Sequence, residues 1–183
     1  MKDWSPSGLR DLKKRSDDGK SWTEVERRET ARRMSKLRER LGVVVQKRKA
    51  KNVEKARKCG EKVDVDRREW VGSLEFEKLK GELQRGDASC IEAVRTYFHK
   101  AVVAHEKTTA VTGFILEAKK KALELNENAK EPSYVMPALF GIPLSLRECL
   151  KVEGYEQTRG FVQNAYKPAT SDSIQIEHYK KLD

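Results

Sequence analysis

The chain has 183 residues, 39 Lys and Arg against 29 Asp and Glu, a formal net charge of +10, and 37% apolar residues. That length suits one domain of ordinary size, and the apolar share is enough to build a core. The excess charge is confined, because residues 1–70 hold 23 basic and 13 acidic side chains whereas residues 71–183 hold 16 of each. This asymmetry argues against a uniformly basic nucleic-acid-binding domain, and no nucleic-acid partner is expected.

Other classes fall away on the same grounds. The longest nearly apolar stretch, residues 135–146, is broken by Pro137 and Pro143 and is shorter than the roughly 20 residues a spanning helix needs. The N-terminus, Met1-Lys2-Asp3-Trp4-Ser5-Pro6, lacks the apolar core of a secretory signal. Cys59, Cys90 and Cys149 are far apart and form no CxxC or Cys/His pair, so neither a disulfide framework nor a metal site is expected. The expectation is an intracellular protein without cofactor, cytoplasmic or peripheral to a membrane.

Residues 1–20 are polar, with Pro6, Gly8, Gly19 and the run Lys13-Lys14-Arg15, and read as disordered. Ser21-Trp22-Thr23-Glu24 has the spacing of a capping box. The residues that follow, to about Arg57, are rich in Glu, Arg, Lys, Ala, Leu and Met, so residues 21–58 read as a basic helical extension. Acidic residues lie early and cations late, as the helix dipole favours. Met34, Leu37, Leu41 and Val44 form a stripe about two heptads long, shorter than coiled coils generally need. Such a helix suits either an anionic surface or a solvated position over the next domain. Residues 59–70, centred on Gly60 to Asp66, read as a linker, with Trp70 beginning the folded part.

In residues 71–183, Ser73 is expected to cap a short helix with Leu74, Leu79 and Leu83 inward, ending near Gly86. Ser89-Cys90-Ile91-Glu92 is a second capping box, opening a helix with Ile91, Val94, Phe98, Ala101, Val102 and His105 on one face. His99 and His105 are six residues apart and do not share a face as a metal-binding pair would. Residues 111–116 read as a short strand and residues 117–130 as a charged helix ended by Glu131-Pro132-Ser133. Leu139-Phe140-Gly141-Ile142-Pro143-Leu144-Ser145-Leu146-Arg147-Glu148-Cys149 reads as a buried strand delivering Arg147 at its end, where Arg147 and Glu148 could equally form an ion pair. Gly154-Tyr155 and Thr158-Arg159-Gly160 are turn-like. Thr170-Ser171-Asp172 caps a last helix carrying Ile174, His178 and Leu182, and His178 has no partner spacing that suggests chemistry.

These pieces, in this order, resemble the amidase signature family and within it the fatty acid amide hydrolases. Leu74 to Gly86 resembles the helix that opens the catalytic domain, and Ser89 to Tyr97 the next. Ala110-Val111-Thr112-Gly113-Phe114-Ile115 with Glu117-Ala118 is similar to the following strand and helix start. The most specific match is Leu139 to Leu150, with Lys151, Gly154-Tyr155 and Thr158 after it, and Ser171-Asp172-Ser173 fits the start of the next helix. The resemblance covers residues 71–183, a partial amidase domain.

It implies an α/β fold around a mixed sheet, and hydrolysis of lipid amides by a Ser–Ser–Lys triad. In that triad a neutral lysine takes the nucleophile's proton through a bridging serine, and backbone N–H groups hold the developing oxyanion. The lysine position of the motif Gly-Ile-Pro-Leu-Ser-Leu-Lys-Glu-Cys is occupied here by Arg147. Burial can make a lysine neutral, whereas arginine stays protonated in proteins. The family's two serines lie in a downstream Gly/Ser-rich segment, and Ser133, Ser145, Ser171 and Ser173 lack a Gly-Ser context. The expectation is therefore a truncated and inactive amidase, with unpaired edges and apolar residues such as Phe140, Ile142 and Leu144 exposed. Two alternatives are a non-enzymatic protein that binds an anionic membrane, nucleic acid or acidic partner through its basic helix, and a pseudoenzyme that pairs with a full-length amidase.

Overall fold

The computed structural model describes residues 23–159, 161, 164 and 167–182. The expected disorder of residues 1–20 lies outside that range, as do Ser21 and Trp22. The chain divides into two compact units, Met1–Val43 and Val44–Asp183.

The first helix, α1, spans Glu24–Gly60. Its capping box sits two residues later than the sequence suggests. The Thr23 backbone N–H donates to the Glu26 carboxylate at 3.1 Å, and the Glu26 N–H donates back to Thr23 Oγ1 at 3.3 Å. Two orphan donors of the first turn are thereby satisfied. In the first unit α1 carries the exposed i,i+4 pairs Glu24–Arg28 and Glu29–Arg33, each contributing only a few tenths of a kcal/mol, about 0.3–0.5. Of the expected stripe, Met34 is half-buried and Val44 exposed; Leu37 and Leu41 lie outside the described side chains.

In the second unit, α2 (Val65–Ser73) follows α1 after a short turn. The linker reading of residues 59–70 does not match this arrangement. The Asp64 carboxylate accepts from the Asp66 and Arg67 N–H groups and starts a helix, and Cys59, Val63 and Val71 are buried. Charged residues at 61–69 concealed the helix because its apolar contacts come from its C-terminal end, Trp70 and Val71. Ser73 is the last residue of α2 and bonds back to the Trp70 carbonyl at 2.8 Å instead of capping the next helix. Then α3, Phe76–Arg85, buries Leu79 and Leu83 and ends at Gly86 in the left-handed region (φ 81°), where glycine carries no Cβ penalty.

The centre of the unit is α4, Cys90–Thr108, opened by the Ser89–Glu92 capping box and packed against α2 and α5 (Ala118–Asn128). One core cluster joins Val71, Leu79, Leu83, Ala93, Val94, Ala122, Leu125, Phe140 and Ile142. A second joins Ala56 of α1 to Val102 and Phe114, with Phe98 set edge-on to Phe114 at 5.4 Å. Each fully buried Leu or Val here contributes about 1.5–3 kcal/mol. The last helix, α6, is Ile174–Leu182 and turns Ile176 inward, leaving Ile174 exposed.

The expected strands are absent among the described residues, which contain only two isolated bridges, Glu153 with Ala169 and Glu156 with Pro168. Residues 111–116 are irregular, and residues 139–149 turn at both ends, with 142–147 between them in no regular element. The Phe140 N–H bonds the Pro137 carbonyl and the Ile142 N–H the Leu139 carbonyl, at 3.2 and 3.0 Å. An apolar run adopts a strand only when a neighbouring strand takes up its N–H and C=O groups. Here the Phe140 and Ile142 N–H groups close in local turns, and the Leu139 N–H bonds the Leu182 carbonyl of α6 at 2.8 Å.

Candidate functional site

The motif flagged by sequence begins inside the core and ends at the surface. Phe140 and Ile142 are buried, and Gly141 between them has φ 67°. A Cβ on Gly141 would collide with Cys90 Sγ and lie 3.1 Å from Cys90 Cβ, so this close approach to the first turn of α4 requires glycine. After Pro143 the chain emerges, and Leu144, Ser145 and Arg147 are exposed. Arg147 is therefore not held at the end of a buried strand. Its carbonyl accepts from the Leu150 N–H at 3.0 Å, and its guanidinium has no ion-pair partner among the described residues.

The neighbouring Glu148 is engaged elsewhere, so the Arg147–Glu148 ion pair does not form. Its carboxylate accepts from the Thr158 N–H at 2.9 Å and from Thr158 Oγ1 at 2.5 Å. These bonds, led by the one from the hydroxyl, hold Glu148 below the usual carboxylate range. The Gln157 side-chain amide bonds the Cys149 carbonyl, closing residues 148–158 into a loop stapled at two points.

Two further braces fix that loop, and neither was visible in the sequence. Arg48 of α1 pairs with Glu156. The Tyr155 hydroxyl donates to the Glu117 carboxylate and accepts from the Leu116 N–H at 3.2 Å. Beside them, Asn52 of α1 forms a two-point contact with the backbone of Phe114: its amide donates to the carbonyl at 3.0 Å and its oxygen accepts from the N–H at 2.6 Å. On the other side, Asp172 accepts from the Glu153 N–H at 2.7 Å and pairs with Lys180 of α6. Those two interactions hold its carboxyl below its ordinary range.

No other cluster competes with this motif. Among the described residues no group of three His, Cys, Asp and Glu side chains could hold a metal ion. The His105 Nδ1 accepts from the Val111 N–H at 3.3 Å, and the His99 backbone and Cβ lie against Gly60. Both histidines thus serve packing. Ser133, Ser145 and Ser171 are exposed and Ser173 is half-buried.

The comparisons with known proteins decide the family. The family model described as Amidase matches residues 92–183, half of the chain and the whole of the motif. The chain belongs to the amidase family. It is 65% identical over 150 residues to fatty acid amide hydrolase 1 of Caenorhabditis elegans, a match that covers 80% of this chain and 26% of the relative. It is 30% identical over 141 residues to amidase 1 of Gibberella moniliformis, covering 76% of this chain and 27% of that protein. Fatty-acid amide hydrolase 1 of Sus scrofa is 23% identical over 112 residues, 61% of this chain and 18% of that one. The chain thus spans about a quarter of the first two relatives and less of the third. This amidase segment is similar to the fatty acid amide hydrolases in particular, and no described helix is long and apolar enough to cross a membrane.

Proposed function

We propose that these residues supply the N-terminal part of a lipid-amide hydrolase domain of the mixed-sheet α/β type, in a form that hydrolyses nothing by itself. The observation that carries this reading is Arg147 in Gly141-Ile142-Pro143-Leu144-Ser145-Leu146-Arg147-Glu148-Cys149. A guanidinium donates hydrogen bonds but cannot accept the proton that a serine nucleophile must lose. Arg147 can therefore hold a network of acceptors and cannot act as the general base. Residues 1–183 also contain no Gly/Ser-rich segment of the kind that carries the two serines.

The test uses the purified chain, a long-chain primary fatty amide and a serine-reactive fluorophosphonate probe. No amide turnover and no labelled serine are expected. Turnover, or labelling at one specific serine, would overturn the proposal. In a chain joined to the serine-bearing remainder of such a domain, Arg147→Lys should raise hydrolysis by at least about 10²-fold, the usual weight of a general base.

A second reading, a non-enzymatic binding protein, draws on α1. That helix holds 14 cationic and 5 acidic residues between Glu24 and Gly60, a charge density suited to an anionic surface. Salt-sensitive retention of the chain by anionic vesicles, absent with neutral ones, would favour it.

A further inference from the structure

Where the last turns of α1 meet α4 and the start of α5, the second unit contains an open pocket of about 220 Å³. Its floor is apolar: Cys59 is buried, and Phe98 and Leu116 are half-buried. Phe98 is held by its edge-on contact with Phe114, so the floor is part of the second core cluster. Around it stand Lys55, Lys58, Lys62 and Lys119, from three different chain segments. No acidic side chain lines it among the described residues. Lys58 reaches Glu54 of its own helix at 3.6 Å, an exposed contact of little strength; Lys55, Lys62 and Lys119 form no ion pair among the described residues.

Four like charges converging on one concavity repel one another, and that cost is relieved when an anion enters. The anion must also suit an apolar floor, which a hydrated inorganic ion does not. The pocket is smaller than the roughly 300–1,000 Å³ that encloses a drug-sized ligand, so it can seat a headgroup with the first methylenes beyond it but no whole acyl chain. An acyl chain would have to remain outside, as it does when a lipid stays in its bilayer.

We propose that this pocket binds the phosphate-bearing headgroup of an anionic phospholipid at a membrane surface. The proposal is independent of the hydrolase reading. It also differs from general attraction by α1, because it assigns binding to a built pocket and not to total charge.

The experiment is sedimentation of the full chain with phosphatidylcholine vesicles that contain or lack phosphatidylserine. A pocket variant, Lys58→Gln/Lys62→Gln/Lys119→Gln, is compared with a control of equal charge loss on α1, Arg32→Gln/Lys36→Gln/Arg40→Gln. Each lysine near an anionic surface contributes roughly a five-fold gain in partitioning, so the pocket variant should lose about a hundred-fold and the control far less. All six side chains lie at or near the surface, and unchanged helical circular dichroism checks that both variants fold. Equal losses in the two variants, or retained binding in the pocket variant, would overturn the proposal. A competition arm at constant ionic strength separates the sources of phosphate. Short-chain soluble phosphatidylserine should displace the chain from vesicles and inorganic phosphate should not, and equal displacement by inorganic phosphate would show that the apolar floor plays no part and sink the idea.

Discussion

Arg67 of α2 grips Glu92 of α4 with both arms of its guanidinium, Nε to Oε1 at 2.9 Å and Nη2 to Oε2 at 3.0 Å. The same carboxylate closes the α4 capping box, accepting from the Ser89 N–H at 3.0 Å and the Ser89 hydroxyl at 2.9 Å. One side chain therefore starts the central helix and ties it to its neighbour. The Arg67 plane also stacks over Trp70, 4.5 Å from the ring centre, which fixes the fork in the orientation a carboxylate needs.

The arginine bonds, ahead of those from Ser89, lower the Glu92 pKa from 4.5 to about 2. A carboxylate depressed on folding adds stability above its unfolded pKa and loses it as pH falls through the folded value. Urea midpoints of the native chain should therefore decline between about pH 5 and pH 2, and Glu92→Gln should flatten that decline. At neutral pH the same substitution should cost about 1–2 kcal/mol, since a cap is lost together with a pair that is only partly shielded from solvent. Parallel pH curves for the two proteins would show that Glu92 is not the titrating group.

Among the described glycines, Gly141 leaves least room for a Cβ, because the Cys90 side chain lies where one would stand. Gly141→Ala should destabilise the chain by about 2–3 kcal/mol, combining left-handed backbone strain with overpacking against Cys90. Adding Cys90→Ala removes the sulfur, but it leaves the positive φ and the contact with Cys90 Cβ at 3.1 Å. The double variant should thus recover only part of the loss in thermal unfolding. Full recovery would mean that the backbone at 141 carries no strain.

The helices other than α2 were legible because they obey local rules. Ser89 and Glu92 are three residues apart, Leu79 and Leu83 four apart, and Gly86 ends its helix as a glycine C-cap should. The motif around Arg147 was legible as a string of residues, which is enough for a family. What failed was whatever depends on a distant partner. Phe140 and Ile142 are buried as the strand reading required, not exposed as the truncated-domain reading expected, and of the three residues named there only Leu144 is exposed. Burial alone does not distinguish a strand from a turn packed on a helix. Arg67 looked like one charge in a linker because its partner lies 25 residues away. The braces from Arg48 and Asn52 of α1 bridge still longer separations, so nothing in the local pattern connects them to the site.

Asn52 supplies a prediction of its own. Its amide mimics a strand partner for Phe114, satisfying both backbone groups of a buried residue. Asn52→Ala leaves that N–H and C=O without partners and should cost about 1–3 kcal/mol. Asn52→Asp keeps the acceptor but sets a carboxylate against the Phe114 carbonyl, so it should not rescue the loss. Denaturant unfolding of the two variants checks this, and a stable Asn52→Asp protein would contradict the two-point contact.

Tyr155 extends the same logic to alkaline pH. Burial first, and then its bond to the Glu117 carboxylate, push the phenol well above its ordinary value of 10. A group whose acid form is favoured by folding adds stability below its unfolded pKa and loses it as pH rises toward the folded one. Ultraviolet titration of the folded chain should show one tyrosine that remains protonated after the exposed tyrosines have ionised, and that ionises only with unfolding. In Tyr155→Phe the late step should vanish and stability should fall by about 1–2 kcal/mol, because the Leu116 N–H and the Glu117 carboxylate each lose a partner. If the late-titrating tyrosine persists in Tyr155→Phe, the brace between residue 155 and the start of α5 is wrongly assigned. If it disappears while stability is unchanged, the hydroxyl is engaged as described but contributes nothing to holding the loop that carries Glu148.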